Sequence, residues 1–166
     1  MSQHAHKAEG PRQVRVAVLT ISDTRTDATD TSGRAIATLL DAEGHHVVAK
    51  AIVRDEPDEV TAFVTAHLAG DAQVVITTGG TGITSRDSTF EAIDALLEKR
   101  LDGFGELFRM LSYHDIGPAA MMSRACAGLA QRRVVIALPG AEGAVRLAMT
   151  TLVLPELAHL VQQASK

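Results

Sequence analysis

Cysteine, aromatic residues and excess charge are all scarce in this sequence. Its single cysteine, Cys126, can close no internal disulfide and build no cysteine cage for zinc, which fits a reducing, cytoplasmic setting. Tryptophan is absent, and four phenylalanines and one tyrosine bring aromatics to only 3%. With 16 basic against 20 acidic side chains the formal charge is −4. A chain with neither a basic field nor stacking platforms is poorly made for polynucleotides, so no nucleic-acid partner is expected. No uninterrupted apolar run approaches the roughly 18 to 20 residues of a membrane helix, and Met1 to Arg12 hold no apolar signal core. No membrane association is expected.

What is present suits one core: 166 residues, 46% of them hydrophobic. Residues 1–12 carry no periodic apolar set and predict a flexible N-terminal arm; residues 13–166 predict a single domain. Val14, Val16, Val18, Leu19 and Ile21 form the β-branched run of a strand buried on both faces. Ile36, Leu39 and Leu40 follow at helical spacing, with Gly44 as the stop. A second strand spans Val47 to Val53. The helix after Pro57 shows its stripe at Val60, Phe63, Val64, His67 and Leu68, and Gly70 closes it. A third strand, Gln73 to Thr78, runs into Gly79, Gly80, Thr81 and Gly82; Ser88 with Glu91 has the form of a capping box for the next helix. Strand and helix alternating in this way predict an α/β domain with a mostly parallel sheet. Leu101 to Met122 reads as irregular, with short helical patches such as Phe104 to Leu111 between glycines and a proline. Ala125 to Leu129 and Val134 to Leu138 read as a hairpin or adjacent strands, and Pro155 as the start of a new helical segment.

In an open parallel sheet the ligand sits beyond the carboxyl ends of the strands. Asp23, Asp55 and Asp87 follow the first three strands at intervals of 32 residues, so three carboxylates are expected at one edge. Hard oxygen ligands gathered there suit Mg²⁺ arriving on substrate phosphates, while caps and turns are the plainer use of each aspartate. The Thr77–Gly82 run reads either as an anion cradle of backbone N–H groups, with Thr78 and Thr81 hydroxyls added, or as a tight turn needing glycine for its angles. Arg86 either steadies a phosphate or pairs with a neighbouring aspartate. A dinucleotide fingerprint at Gly80, Gly82 and Ser85, with Asp102 beyond, is imperfect, and no Gly-Lys-Ser/Thr makes a Walker loop. His67 is expected to pack, and Cys126 to be a small buried hydrophobe.

The stretch Ile-Thr-Thr-Gly-Gly-Thr-Gly-Ile-Thr-Ser-Arg-Asp-Ser-Thr-Phe-Glu-Ala, Ile76 to Ala92, resembles the signature of the MoaB/MogA family of molybdenum cofactor biosynthesis. The likeness extends from Val14 to Leu160 through Ser22-Asp23, Asp30 to Gly33, Gly103 to Glu106, Ser123-Arg124 and Leu138-Pro139-Gly140. Gly44 to Val48 and Phe108 to Ser112 are similar to its MoaB branch. The resemblance implies a three-layer α/β/α sandwich assembled as a trimer or hexamer. It also implies a molybdopterin adenylyltransferase, which moves AMP from MgATP to the terminal phosphate of molybdopterin, and a MoeA-type metal-insertion protein as the partner that accepts the product. Asp55 and Asp87 match the family's two acidic catalytic and metal-binding positions. Thr78 to Gly82, Ser22, Asp23, Arg86, Pro139 and Gly140 are the expected contacts to phosphate and substrate. Two departures stand out: Phe90 where the family usually has proline, and Ala141 where serine is common. The rival expectation is a non-catalytic molybdopterin-binding or delivery protein of the same fold.

Overall fold

Strand β1 (Arg15–Ile21) is buried at every residue but its first, because it lies inside the sheet with a parallel neighbour on either side. The computed structural model describes residues 10–166. The flexible-arm expectation falls chiefly on residues 1–9, outside the described residues; Gly10 lies against the last helix, where a Cβ would stand 2.9 Å from the Ala158 carbonyl oxygen. After β1 come α1 (Thr31–Ala42), β2 (His46–Val53), α2 (Pro57–Ala69), β3 (Val74–Thr78), α3 (Thr89–Leu96), β4 (Lys99–Arg100) and α4 (Asp102–Ile116). A 3-10 turn (Gly117–Met122) leads to β5 (Cys126–Ala130), β6 (Arg133–Leu138), α5 (Glu142–Ala148), a π turn (Met149–Val153) and α6 (Leu154–Ser165).

The sheet order is β2-β1-β3-β6-β5-β4, with β5 antiparallel to both of its neighbours and the other pairs parallel. Side chains on a strand alternate between faces, and that alternation builds two cores. Val16, Val18, Val74, Ile76, Val134 and Ile136 pack under α1, the C-terminal helices and Phe108 of α4. Ala17, Leu19, Ile21, Val75, Val135 and Ala137 pack under α2 and α3 through Val60, Val64, Leu68 and Ile93. The result is the expected three-layer α/β/α sandwich. From β1 the chain steps outward to β2 and then back across to β3, so the order reverses between β1 and β3; the crevice beyond their carboxyl ends is where such folds take ligands.

Several local expectations hold and several are corrected. Gly44 ends α1 region at φ +79°, and the β5–β6 hairpin turns on Gln131 and Arg132, both at positive φ as a two-residue type I′ turn requires. Leu101 to Met122 is more regular than its glycines suggest: α4 is a continuous helix of 15 residues. Gly105 is the reason it fits, since a Cβ there would stand 2.9 Å from the Ala125 carbonyl oxygen. The capping box does not form; Ser88 makes no side-chain cap, and Glu91 pairs with Arg124 instead. Pro155 stands in the first turn of α6, so it begins a new α-helical segment as expected, set off from α5 by the π turn. Glu142–Ser165 is helical over 24 residues, and the π turn just before the proline accommodates its missing N–H, with Thr150 and Thr151 hydroxyls donating to the Arg146 and Leu147 carbonyls at 2.8 and 2.5 Å. That helix is long and apolar enough by composition to cross a membrane, with a mean hydropathy of 1.4. Val145, Met149, Val153, Leu157 and Val161 on its inner face are buried against the sheet.

His45 ties β1 to β2 by accepting the Val14 N–H at its Nδ1, 3.2 Å away. Burial holds its pKa below the ordinary histidine value of 6.5, with Glu43 opposing the shift. The unfolded chain therefore binds this proton first as pH falls, so the His45 contribution is complete above pH 6.5 and is lost as the pH drops through the lower folded value. Urea melts between pH 8 and 5 should show stability decreasing below about pH 6.5, and His45→Asn should flatten that decrease.

Candidate functional site

Ile21 ends β1 and Thr78 ends β3, and the two exits touch. Gly79 takes φ +92°, and a Cβ placed on it would stand 2.2 Å from the Ile21 carbonyl oxygen. No other residue type allows both the angle and the approach. The Gly79 N–H continues the sheet by donating to the Leu138 carbonyl at 3.0 Å. Beyond it, the N–H groups of Gly80, Thr81, Gly82 and Ile83 find no acceptor among the described residues. Four consecutive unpaired donors at the end of a buried strand are the raw material of an anion site.

The three aspartates do gather at this edge. Asp23 Oδ1 accepts the Asp55 N–H at 3.1 Å, and Asp23 Oδ2 pairs with Arg86 at 3.0 Å. Asp55 Oδ1 accepts the Thr89 hydroxyl at 2.5 Å, which brings the end of β2 onto the first residue of α3. Asp87 Oδ2 accepts both the N–H and the hydroxyl of Thr84 at 2.7 Å, and lies so close to Gly82 that a Cβ there would meet it at 2.3 Å. These Thr84 bonds hold the Asp87 carboxyl below the usual carboxylate range, against a small effect of burial and with help from Arg124 and Arg86. None of the three caps a helix; α2 is preceded by Glu56 and α3 by Ser88. Asp55 Oδ2 and Asp87 Oδ1 carry no hydrogen bond among the described residues, and no group of three or more His, Cys, Asp or Glu side chains there could hold a metal ion.

Other expected contacts are redistributed. The Thr78 hydroxyl donates to the Pro139 carbonyl at 2.8 Å, so it is not the anion donor expected, and that carbonyl is likewise occupied. Both residues instead lock β3 to the exit of β6. Ser22 Oγ accepts from the Thr24 and Arg25 N–H groups, forming the turn after β1. Ser22, Thr78 and Gly140 line a cavity of about 220 Å³ together with Arg25, Asp30 and Ser32. Asp102 pairs with Arg100, His67 packs tilted against Phe63 with ring centroids 4.3 Å apart, and burial pushes the Cys126 thiol up to about 11.

Two residues of the site, Asp30 and Arg124, were assigned no role from the sequence, although both fall in stretches that carry the family likeness. Asp30 is 1% exposed and caps α1. Burial alone would raise its pKa, but Lys50 at 2.9 Å, the Gly33 N–H and the Thr20 hydroxyl outweigh it and keep the carboxyl ionised. Arg124, placed between the 3-10 turn and β5, reaches the glycine loop from the other side and lines a second cavity of about 410 Å³.

A family whose profile is described as "Probable molybdopterin binding domain" matches residues 17–159. The chain belongs to this family of molybdenum cofactor biosynthesis proteins. It is 51% identical over 168 residues to molybdenum cofactor biosynthesis protein B of Bacillus subtilis (strain 168), covering 100% of this chain and 99% of that one. It is 52% identical to the protein of that name from Bacillus cereus over 162 residues, 96% of each chain. Among solved structures, the tungsten cofactor synthesizing protein MoaB from Pyrococcus furiosus superposes with a TM-score of 0.84 at 38% identity, covering 94% of this chain and 99% of that chain. The glycine loop, Asp55 and Asp87 thus lie within the family match, and so does the Arg124 contact.

Replacing Gly79 should be costly wherever the ligand stands. Gly79→Ala is expected to lose about 3 kcal/mol or more of stability through the Ile21 clash and the positive φ, read as a lower urea midpoint; an unchanged midpoint would contradict the close approach.

Proposed function

We propose that the protein is a molybdopterin adenylyltransferase, transferring AMP from ATP to the terminal phosphate of molybdopterin and releasing pyrophosphate. The observation that carries this reading is that Asp87 lies against a loop with four unpaired N–H groups, while Asp55 is bonded to Thr89, whose methyl group lies 3.1 Å from where a Gly80 Cβ would stand. Attack of one phosphate on another requires two polyanions to be held in line, with the charge on the leaving pyrophosphate neutralised. The N–H groups of Gly80 to Ile83 are suited to holding triphosphate oxygens, and the cavity between Ser22, Arg25 and Gly140 to holding the second phosphate.

Mg²⁺ fits as an ion delivered by the nucleotide. Two carboxylates, each with one oxygen free of hydrogen bonds, match the small protein share Mg²⁺ takes when phosphates and water supply the rest. Bound there, it would supply charge neutralisation on the triphosphate. Asp55 and Asp87 orient its ligands through their Thr89 and Thr84 anchors, and the low pKa of Asp87 keeps that carboxylate ionised at neutral pH. No covalent enzyme intermediate is required. The lone buried thiol suits a cytoplasmic enzyme, and exposed Leu107, Met110 and Ile116 on α4 support self-association as a trimer or hexamer.

One observation favours the rival, a binding or delivery protein without turnover: Ala141 leaves the α5 N-terminus with no side-chain cap beside Gly140. Incubation with molybdopterin and MgATP separates the two. The transferase yields adenylylated pterin and pyrophosphate; the carrier binds pterin and yields neither. Asp87→Asn should lower AMP transfer at least about 100-fold while pterin affinity stays within about threefold, and wild-type turnover by that variant would remove Asp87 from the mechanism.

A further inference from the structure

Arg124 makes four contacts at the far wall of the glycine loop. Its Nε donates to the Thr81 carbonyl at 3.3 Å, one terminal nitrogen donates to the Gly82 carbonyl, and the other pairs with Glu91. The guanidinium lies over the Phe90 ring, 4.5 Å from its centroid. Glu91 and Phe90 both belong to the first turn of α3, and Arg124 is only 24% exposed. The Arg124 guanidinium is also the main influence holding Glu91 below the usual carboxylate range. A planar fork is thus fixed on one side to a rigid helix and on the other to two successive peptide carbonyls.

Those carbonyls decide where the loop's donors face. In a trans peptide the C=O and the next N–H point in opposite directions. Carbonyls of Thr81 and Gly82 turned to Arg124 therefore turn the N–H groups of Gly82 and Ile83 away from it. Neither N–H has an acceptor among the described residues. Without the fork, no hydrogen bond among the described residues fixes these two peptide planes, because the Asp87 bonds act one residue later, at Thr84.

We propose that Arg124 is a positioning residue that presets the peptide planes of the loop for a phosphate ligand, with Phe90 holding the guanidinium in place. This rests on reading the loop as the phosphate cradle. In this role Arg124 acts through the Gly82 and Ile83 N–H groups rather than by contact with the ligand. A lysine cannot reproduce the role, because a point charge does not bridge two carbonyls and a carboxylate at once.

Amide order parameters and binding of magnesium tripolyphosphate test this on the full chain. Wild type should show rigid Gly82 and Ile83 amides, and Arg124→Gln should drop them from about 0.85 toward 0.6 with β3 and β6 unchanged. Triphosphate affinity should fall about tenfold in Arg124→Gln and nearly as much in Arg124→Lys, and about threefold in Phe90→Leu. In the AMP-transfer assay, KM for MgATP should rise by a similar factor with kcat changed less than about threefold. Equal amide order and affinity in Arg124→Gln, or full recovery in Arg124→Lys, overturns the positioning role while leaving the cradle intact. Failure of wild type to bind triphosphate overturns the cradle itself, and the proposal with it.

Discussion

The contact between the Ile21 carbonyl and the α-carbon of Gly79 is the constraint on which the site depends. Parallel strands β1 and β3 leave the sheet side by side, and the missing side chain lets their loops pass at contact distance. The turn carrying Ser22 and Asp23 is therefore held against the glycine loop. β2 joins the same edge because its last residue pairs with Ile21 and the Ser22 N–H donates to the Val53 carbonyl at 2.9 Å. From there the Asp55–Thr89 hydrogen bond fastens α3 to the edge. The cluster is a consequence of sheet register, with each loop fixed by the strand it leaves.

Charge at this edge is arranged in two tiers. Deep in the fold, Asp30 is satisfied by Lys50, Thr20 and a helix N-terminal amide, which turns a buried carboxylate into a fixed support for the β1 exit and α1. Nearer solvent, Asp23, Asp55 and Asp87 are held in place by Arg86, Thr89 and Thr84 respectively. The unpaired loop N–H groups lie beside them, so donors for an anion and oxygens for a cation share one border. A magnesium-bound triphosphate carries both charges in one ligand, and that match of charges is what supports the proposed adenylyl transfer.

The strands were legible where the pattern was dense. Val16 to Ile21 and Val134 to Leu138 are buried runs that no helix of this fold repeats, and a glycine loop after a strand marked the ligand edge. The aspartates were legible because each follows a strand. Helix α4 was not, because Gly103 and Gly105 weaken its local propensity and only packing beneath Ala125 restores it. The Thr78 hydroxyl was misassigned since its acceptor, Pro139, lies 61 residues away. Asp30 and Arg124 offered no spacing to read: their partners Lys50 and Gly82 are 20 and 42 residues distant and on separate elements.

The sequence alone determined the period of each element, the residues too small or too apolar for solvent, and the order in which carboxylates follow strands. Those properties are local, set by sterics and by the 2.0 and 3.6 periodicities of side chains. Only the tertiary structure decided which oxygens are spent on internal hydrogen bonds and which remain for a ligand, and which arginine faces the loop. Hydrogen-bond partnership depends on distances of about 3 Å between groups far apart in the chain, and those distances exist only after the sheet has closed in its register.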